Sequence, residues 1–324
     1  MRFPAPDSLG PTVCVGEILV EIVATTPGAG FLEAQPLVGP FASGAPAIFI
    51  SQCGRLGGSA ALVGCVGADD FGQLNLARLA SDGVDTGTIR VDPDYPTGSA
   101  FVRYRPDGQR DFVFNLATSA AARFGWDDAT DALLARAGHL HVMGTALAMA
   151  SAWEVIDRAL PLVKARGGSV SFDPNLRKEL LHDPEILPRF SRMVAQCDLL
   201  LPSGDELRMA AGTDNDETAL TTLFELGVAE IALKQGAAGA TVCVAGSEPV
   251  HAPAFRVQEL DPTGAGDCFG GAYVTCRRLG MEIAEALTYA CAAGARNVTV
   301  RGPMEGAGTR AELDAFIAAT ERRK

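Results

Sequence analysis

The sequence has no Cys-x-x-Cys pair, no cluster of basic residues and no long uninterrupted apolar run, and aromatic side chains make up only 6% of its 324 residues. Each shortage removes a class of protein. The eight cysteines (Cys14, Cys53, Cys65, Cys197, Cys243, Cys268, Cys276 and Cys291) are dispersed and lie mostly in apolar stretches, so they read as buried reduced thiols, not a disulfide or metal framework. Lys and Arg are scattered under a formal net charge of −12, which leaves no footprint for nucleic acid or an anionic membrane surface. With no bilayer-spanning run and no apolar signal core after Met1, the protein is expected in the cytoplasm.

What is present is a chain that is 48% hydrophobic, enough for a large core in one α/β domain spanning 1–324. Strand-like runs at 13–15, 61–66, 139–143, 169–172, 199–201 and 231–233 alternate with helical spacing at 72–81, 152–165, 184–196 and 218–225. That alternation predicts a mainly parallel sheet covered by helices. A closing amphipathic helix is predicted over 311–323. Two stretches break the rhythm, 30–40 and 98–115, the latter two alternating strands around Pro106-Asp107-Gly108-Gln109, a hairpin signal. They predict a small β-sheet inserted at about 20–42 and 98–117, either a lid that excludes water or an ordinary edge hairpin.

The chemistry concentrates in Asp261-Pro262-Thr263-Gly264-Ala265-Gly266-Asp267, small residues opening into a helical run. Backbone amides of Gly264, Ala265 and Gly266 can approach an anion closely, and a helix start adds partial positive charge. Asp267 at such a place repels the expected anion, unless it accepts a proton from a hydroxyl that attacks a nucleotide's terminal phosphorus. A simple helix-capping acid is the alternative.

The stretch from Asp261 to Val274 resembles the second signature of the PfkB (ribokinase-like) carbohydrate kinases, and the resemblance runs along nearly the whole chain. It includes Val13-Cys14-Val15-Gly16-Glu17, Gly67-Ala68-Asp69-Asp70-Phe71-Gly72, Asp173-Pro174-Asn175-Leu176-Arg177 and Lys234-Gln235-Gly236-Ala237-Ala238-Gly239. The resemblance implies a three-layer α/β/α domain with a β-sheet lid, ATP with Mg²⁺, and transfer to a sugar hydroxyl. It assigns Asp267 as the base and Gly264, Ala265 and Gly266 as the anion hole. Gly236, Gly239, Lys234 and Ser203 fall to the nucleotide, Glu206 to the metal through water, and Glu21, Gly44, Ala45, Ile48, Tyr104, Asn115 and Arg177 to the sugar. Pairing between lids implies a homodimer, with Phe31, Leu37, Val38 and Phe41 as apolar candidates.

The departures are informative. The family's Asn-x-x-Glu is here Ser203-Gly204-Asp205-Glu206, and an amide that holds sugar is replaced by Ile48, which can neither donate nor accept a hydrogen bond. The acid after the first strand is Glu21 where the family has Asp. At the lid's end, Phe114-Asn115-Leu116 stands where 2-keto-3-deoxygluconate kinases carry Tyr-Tyr-Arg; Leu116 cannot bind a carboxylate, and Asn115 suits a neutral polyol. Together with the segments 16–21, 36–40 and 43–49, this resembles the tagatose kinase branch and implies a ketohexose phosphorylated at its terminal hydroxyl. A 2-keto-3-deoxygluconate kinase is the alternative, and a nucleoside kinase, for which the chain is poor in aromatics, and a non-catalytic sugar or nucleotide sensor are the competing classes. His139 and His141 read as core histidines, and Asp69-Asp70 as a structural turn.

Overall fold

The computed structural model describes residues 3–26, 28, 30–105, 110–175 and 184–323. Among them, the main sheet runs in the order Val250–Ala252, Ala240–Val244, Glu230–Lys234, Leu199–Leu200, Ser169–Asp173, His139–Met143, Thr12–Val15, Ala60–Gly67 and Val84–Asp85, and Ile89–Asp92 also pairs with Ala60–Gly67. All neighbours are parallel except at the one edge, where Ala240–Val244 is antiparallel to both its partners. Strands buried on both faces explain the apolar runs: Thr12–Val15 and Ala60–Gly67 are buried at every residue. Two apolar clusters lie on opposite faces. One joins Phe49, Ile50, Phe269 and Tyr273, the other Leu133, Val155, Ile156, Phe190 and Met193. This is the expected α/β/α sandwich.

A second sheet of four strands stands apart, in the order Leu37–Ser43, Leu19–Ala24, Gly98–Tyr104, Arg110–Asn115. It is the lid sheet. Gly98–Tyr104 is antiparallel to Arg110–Asn115, with Tyr104 opposite Arg110 and Ser99 opposite Asn115. The Asp-Gly turn proposed between them lies outside the described residues.

The helix Ala45–Arg55 escapes sequence periodicity because residues 45–53 are buried all round, so no polar face interrupts the apolar one. The closing helix is shorter than expected. It ends at Ala319, and Arg322 forms an antiparallel bridge to Phe255 while the Arg256 amide donates to Glu321, so backbone pairing takes over from the helix. All eight cysteines are buried and free. His139 bonds Ser169 and Ser171 through its two ring nitrogens at 2.7 Å each, and His141 stacks on Phe49 with ring centroids 3.5 Å apart, so both histidines are core residues. Asp69 caps the helix Asp70–Ser81 by accepting from the Gly72 amide at 2.8 Å. No helix among the described residues is long and apolar enough to cross a membrane.

Gly44 joins the lid to the core. It follows the last lid strand at φ 112°, and a Cβ there would lie 2.4 Å from the Glu17 carbonyl oxygen. Gly44→Ala is therefore expected to lower unfolding free energy by about 2–4 kcal/mol, through strain and the backbone clash together. A urea midpoint equal to wild type would show that the lid can re-seat freely.

Candidate active site

A cleft of about 940 Å³ lies between the lid and the carboxyl ends of the parallel strands, where open α/β sheets bind ligands. Its chemistry comes from those strand ends. Asp173 closes Ser169–Asp173, Lys234 closes Glu230–Lys234, Glu17 follows Thr12–Val15, and Ser203 follows Leu199–Leu200.

The middle of the cleft is the start of the helix Ala265–Arg278. Gly264 precedes it at φ 78°, a conformation that favours glycine, and a Cβ there would lie 2.3 Å from the Pro303 carbonyl oxygen. Gly264, Ala265 and Gly266 line the cleft, and Asp267 sits in the first turn of the helix, buried to 9% exposure. The Asn175 amide nitrogen reaches Asp267 Oδ1 at 3.4 Å. Asn175 has a left-handed φ of 28°, which asparagine tolerates better than most residues. The expected base and anion hole are thus brought together.

Beside them, Lys234 Nζ donates to Asp173 Oδ2 at 2.5 Å and lies 3.6 Å from where a Cβ on Gly266 would stand. Burial lifts the Asp173 carboxyl to about 7 against the pull of Lys234, and Glu206 and Asp267 add to the lift. Burial likewise opposes the charge on Lys234, yet Asp173, Glu206 and Asp267 outweigh it and raise the lysine above its usual range. One ammonium is held among three carboxylates. The Glu206 carboxylate accepts from the Ser203 amide at 2.7 Å and from its hydroxyl at 2.8 Å. Ser203 therefore spends its hydroxyl proton on Glu206, fixing that acid in place of the family's asparagine arrangement.

At the lid end, Glu17 Oε1 accepts from Thr145 Oγ1 at 2.8 Å and Glu21 Oε1 from Ser43 Oγ at 2.8 Å, both carboxylates being buried. Gly44, Ala45, Ile48, Phe114 and Leu116 complete the wall. The opposite end is lined by Gly236, Gly239, Ala254, Phe255, Val257 and Cys291.

Of the expected sugar contacts, one lies elsewhere and another is engaged by a protein partner. Asn115 is on the outer face of the lid, its amide donating to Ser99 Oγ at 3.3 Å, because strand alternation sends Phe114 and Leu116 into the cleft. Tyr104 is on the inner face, but its hydroxyl donates to Asp261 Oδ1 at 2.8 Å. Arg177 lies outside the described residues. Sequence reasoning also missed Glu17, Thr145, Ser43, Asp173, Asn175 and Arg110, whose Nη1 donates to Thr263 Oγ1 at 2.7 Å. For Arg110 the signal was available in the period of two that it shares with Phe112 and Phe114.

The donor set fits a nucleotide polyphosphate and a hard divalent cation: amides at a helix start, an ammonium, the Glu206 carboxylate, and Asp173 Oδ1, which is buried without a hydrogen-bond partner among the described residues. A cation that keeps water and phosphate ligands needs few protein oxygens.

A β-lidded α/β sandwich with an anion hole and a buried acid at a strand-end cleft is the architecture of a phosphoryl-transfer enzyme. Residues 12–310 match the pfkB family carbohydrate kinases, and the chain belongs to that family of ATP-dependent kinases. It is 32% identical to fructokinase-1 of Zea mays over 93% of this chain and 95% of that one. It is also 32% identical to the 2-dehydro-3-deoxygluconokinase of Thermoproteus tenax, covering 95% and 94%. A candidate Ribokinase II from E. coli, solved with ATP and Mg²⁺, superposes with a TM-score of 0.90 at 42% identity, over 95% of this chain and 99% of that one.

Removing one member of the buried pair strands the other. Lys234→Met is expected to cost about 3 kcal/mol of stability, and adding Asp173→Leu to recover most of it. Urea titration of both variants checks this; a single variant as stable as wild type would mean that water already reaches Asp173.

Proposed function

We propose that the whole chain is one ribokinase-like kinase domain, working in the cytoplasm, that transfers the γ-phosphoryl group of ATP to the terminal hydroxyl of a ketohexose of the tagatose or fructose type. The observation that carries the choice of sugar is the lid end of the cleft. Glu17 and Glu21 accept from Thr145 and Ser43 beside apolar Ile48 and Leu116, a lining of acceptors and apolar surface that suits the hydroxyls of a neutral sugar.

In this reading the sugar hydroxyl lies against Asp267. As its oxygen bonds to the γ-phosphorus and the bond to the ADP oxygen breaks, Asp267 takes the hydroxyl proton. Asn175 holds the carboxylate in place, while the amides of Gly264, Ala265 and Gly266 and the ammonium of Lys234 take up charge on the phosphoryl oxygens. Gly236 and Gly239 allow the nucleotide to lie along the far end of the cleft. Mg²⁺ bound with ATP would supply further neutralisation of the phosphates, and Glu206 would reach it through water. The rival reading, a 2-keto-3-deoxygluconate kinase, draws on Arg110, a cation on the inner face of the lid that could meet a carboxylate.

An ADP-release assay with D-tagatose, D-fructose, 2-keto-3-deoxygluconate, ribose and adenosine decides between them. We expect turnover with a ketohexose and a loss of about a hundredfold or more in Asp267→Asn. Turnover with 2-keto-3-deoxygluconate alone would overturn the assignment of the sugar, and no ATP consumption with any acceptor would favour a sensor. We also place a homodimer contact on the lid, where Leu32, Leu37 and Val113 are exposed. Sedimentation as a dimer at micromolar concentration is expected, and a monomer would remove the contact. Phe41, another expected contact, instead faces Gly302 of the core.

A further inference from the structure

Tyr104 and Arg110 sit opposite each other on the rung of the lid hairpin farthest from Ser99 and Asn115. Directly opposed residues share a face of the sheet. Both reach across the cleft to the same short segment: Tyr104 to Asp261 at 2.8 Å, Arg110 to Thr263 at 2.7 Å. That segment leads straight into Gly264, Ala265 and Gly266.

Asp261 is the hub. It is 1% exposed, and besides the phenol it accepts from the amides of Thr263 at 3.0 Å and Gly302 at 3.0 Å. The Thr263 carbonyl in turn accepts from Asn297 at 2.7 Å. Burial works against the Asp261 charge, but these donors hold its carboxyl below the usual range. Burial and Asp261 together push the Tyr104 phenol far up, so it stays a donor.

We propose that Tyr104 is a positioning residue: through Asp261 it couples the seating of the lid to the placement of the anion-hole amides, without touching the sugar. This rests on the reading of Gly264, Ala265 and Gly266 as the phosphoryl-binding amides. The hydrogen bond joins a neutral donor to a buried carboxylate, so its loss is felt at the segment that carries those amides. A lid that has not closed over the cleft lacks this bond. The amides would then be held in their working position only when the cleft is covered, which limits transfer to water.

The test is Tyr104→Phe, which keeps the ring and removes only the hydroxyl. Steady-state kinetics should show kcat down by about tenfold with the KM of the sugar within about twofold of wild type. Asp261→Asn should lower kcat similarly, and the double variant should be no worse than the more impaired single one, as for residues acting as a unit. Hydrogen–deuterium exchange, which needs no sugar, should show faster exchange across 259–268 in Tyr104→Phe, with 139–143 unchanged. A raised sugar KM at unchanged kcat would make Tyr104 a direct sugar contact and overturn the proposal. So would multiplicative effects of the two substitutions, or unchanged exchange across 259–268. If the wild type turns over none of the sugars offered, the proposed substrate fails, and the exchange result alone decides the coupling.

Discussion

The salt bridge between Lys234 and Asp173 is the interaction on which the rest of the site depends. A cleft suited to a polyanion is lined here by Asp173, Glu206 and Asp267, which would repel both one another and a phosphate. One buried ammonium among them makes the arrangement tenable. Because Lys234 and Asp173 end strands with only Leu199–Leu200 between them, the pairing of the sheet fixes their separation. The cation is therefore placed before any ligand arrives, so the proposed transfer would need little reorganisation when charge develops on the phosphoryl group.

The same strand ends set the order of chemistry along the cleft. Glu17 and the lid's own Glu21, with their hydroxyl-bearing partners, line the cleft together with the helix start that carries Asp267. The far end has Gly236, Gly239 and Phe255. In the proposed reading an acceptor at the lid and a nucleotide along Gly236 and Gly239 meet at Asp267. Asp267 needs only a local reach, because Asn175 and the first helical turn already orient it.

Much of this was legible in the sequence, and what was not has physical causes. The parallel sheet showed in runs buried on both faces, and the anion hole in a glycine-rich helix start, since both are local patterns. Ala45–Arg55 was hidden because burial on all sides erases the helical period. Asn115 was placed on the wrong face because one step along a strand reverses a side chain, and only the pairing with Ser99 fixes its side. Glu17 and Asp173 were visible in matched segments, yet their roles depend on Thr145 and Lys234, partners far along the chain that the fold brings near.

Tyr104 shows the same limit more sharply. Its place on a lid strand, with alternate residues facing inward, made a sugar contact the natural reading, and the alternation was right. What alternation leaves open is the position along the strand. Phe114 and Leu116, toward the other end of the hairpin, line the cleft, whereas Tyr104 overhangs the loop that precedes the anion hole. In the proposed reading one face of the lid divides its work: the end near Phe114 faces the acceptor, and the Tyr104–Arg110 rung holds the segment that leads into Gly264, Ala265 and Gly266. A lid built this way can vary its acceptor-facing residues while leaving its hold on Asp261 and Thr263 intact. Relatives named for different sugars can share such a scaffold, because the two tasks rest on different rungs of one hairpin.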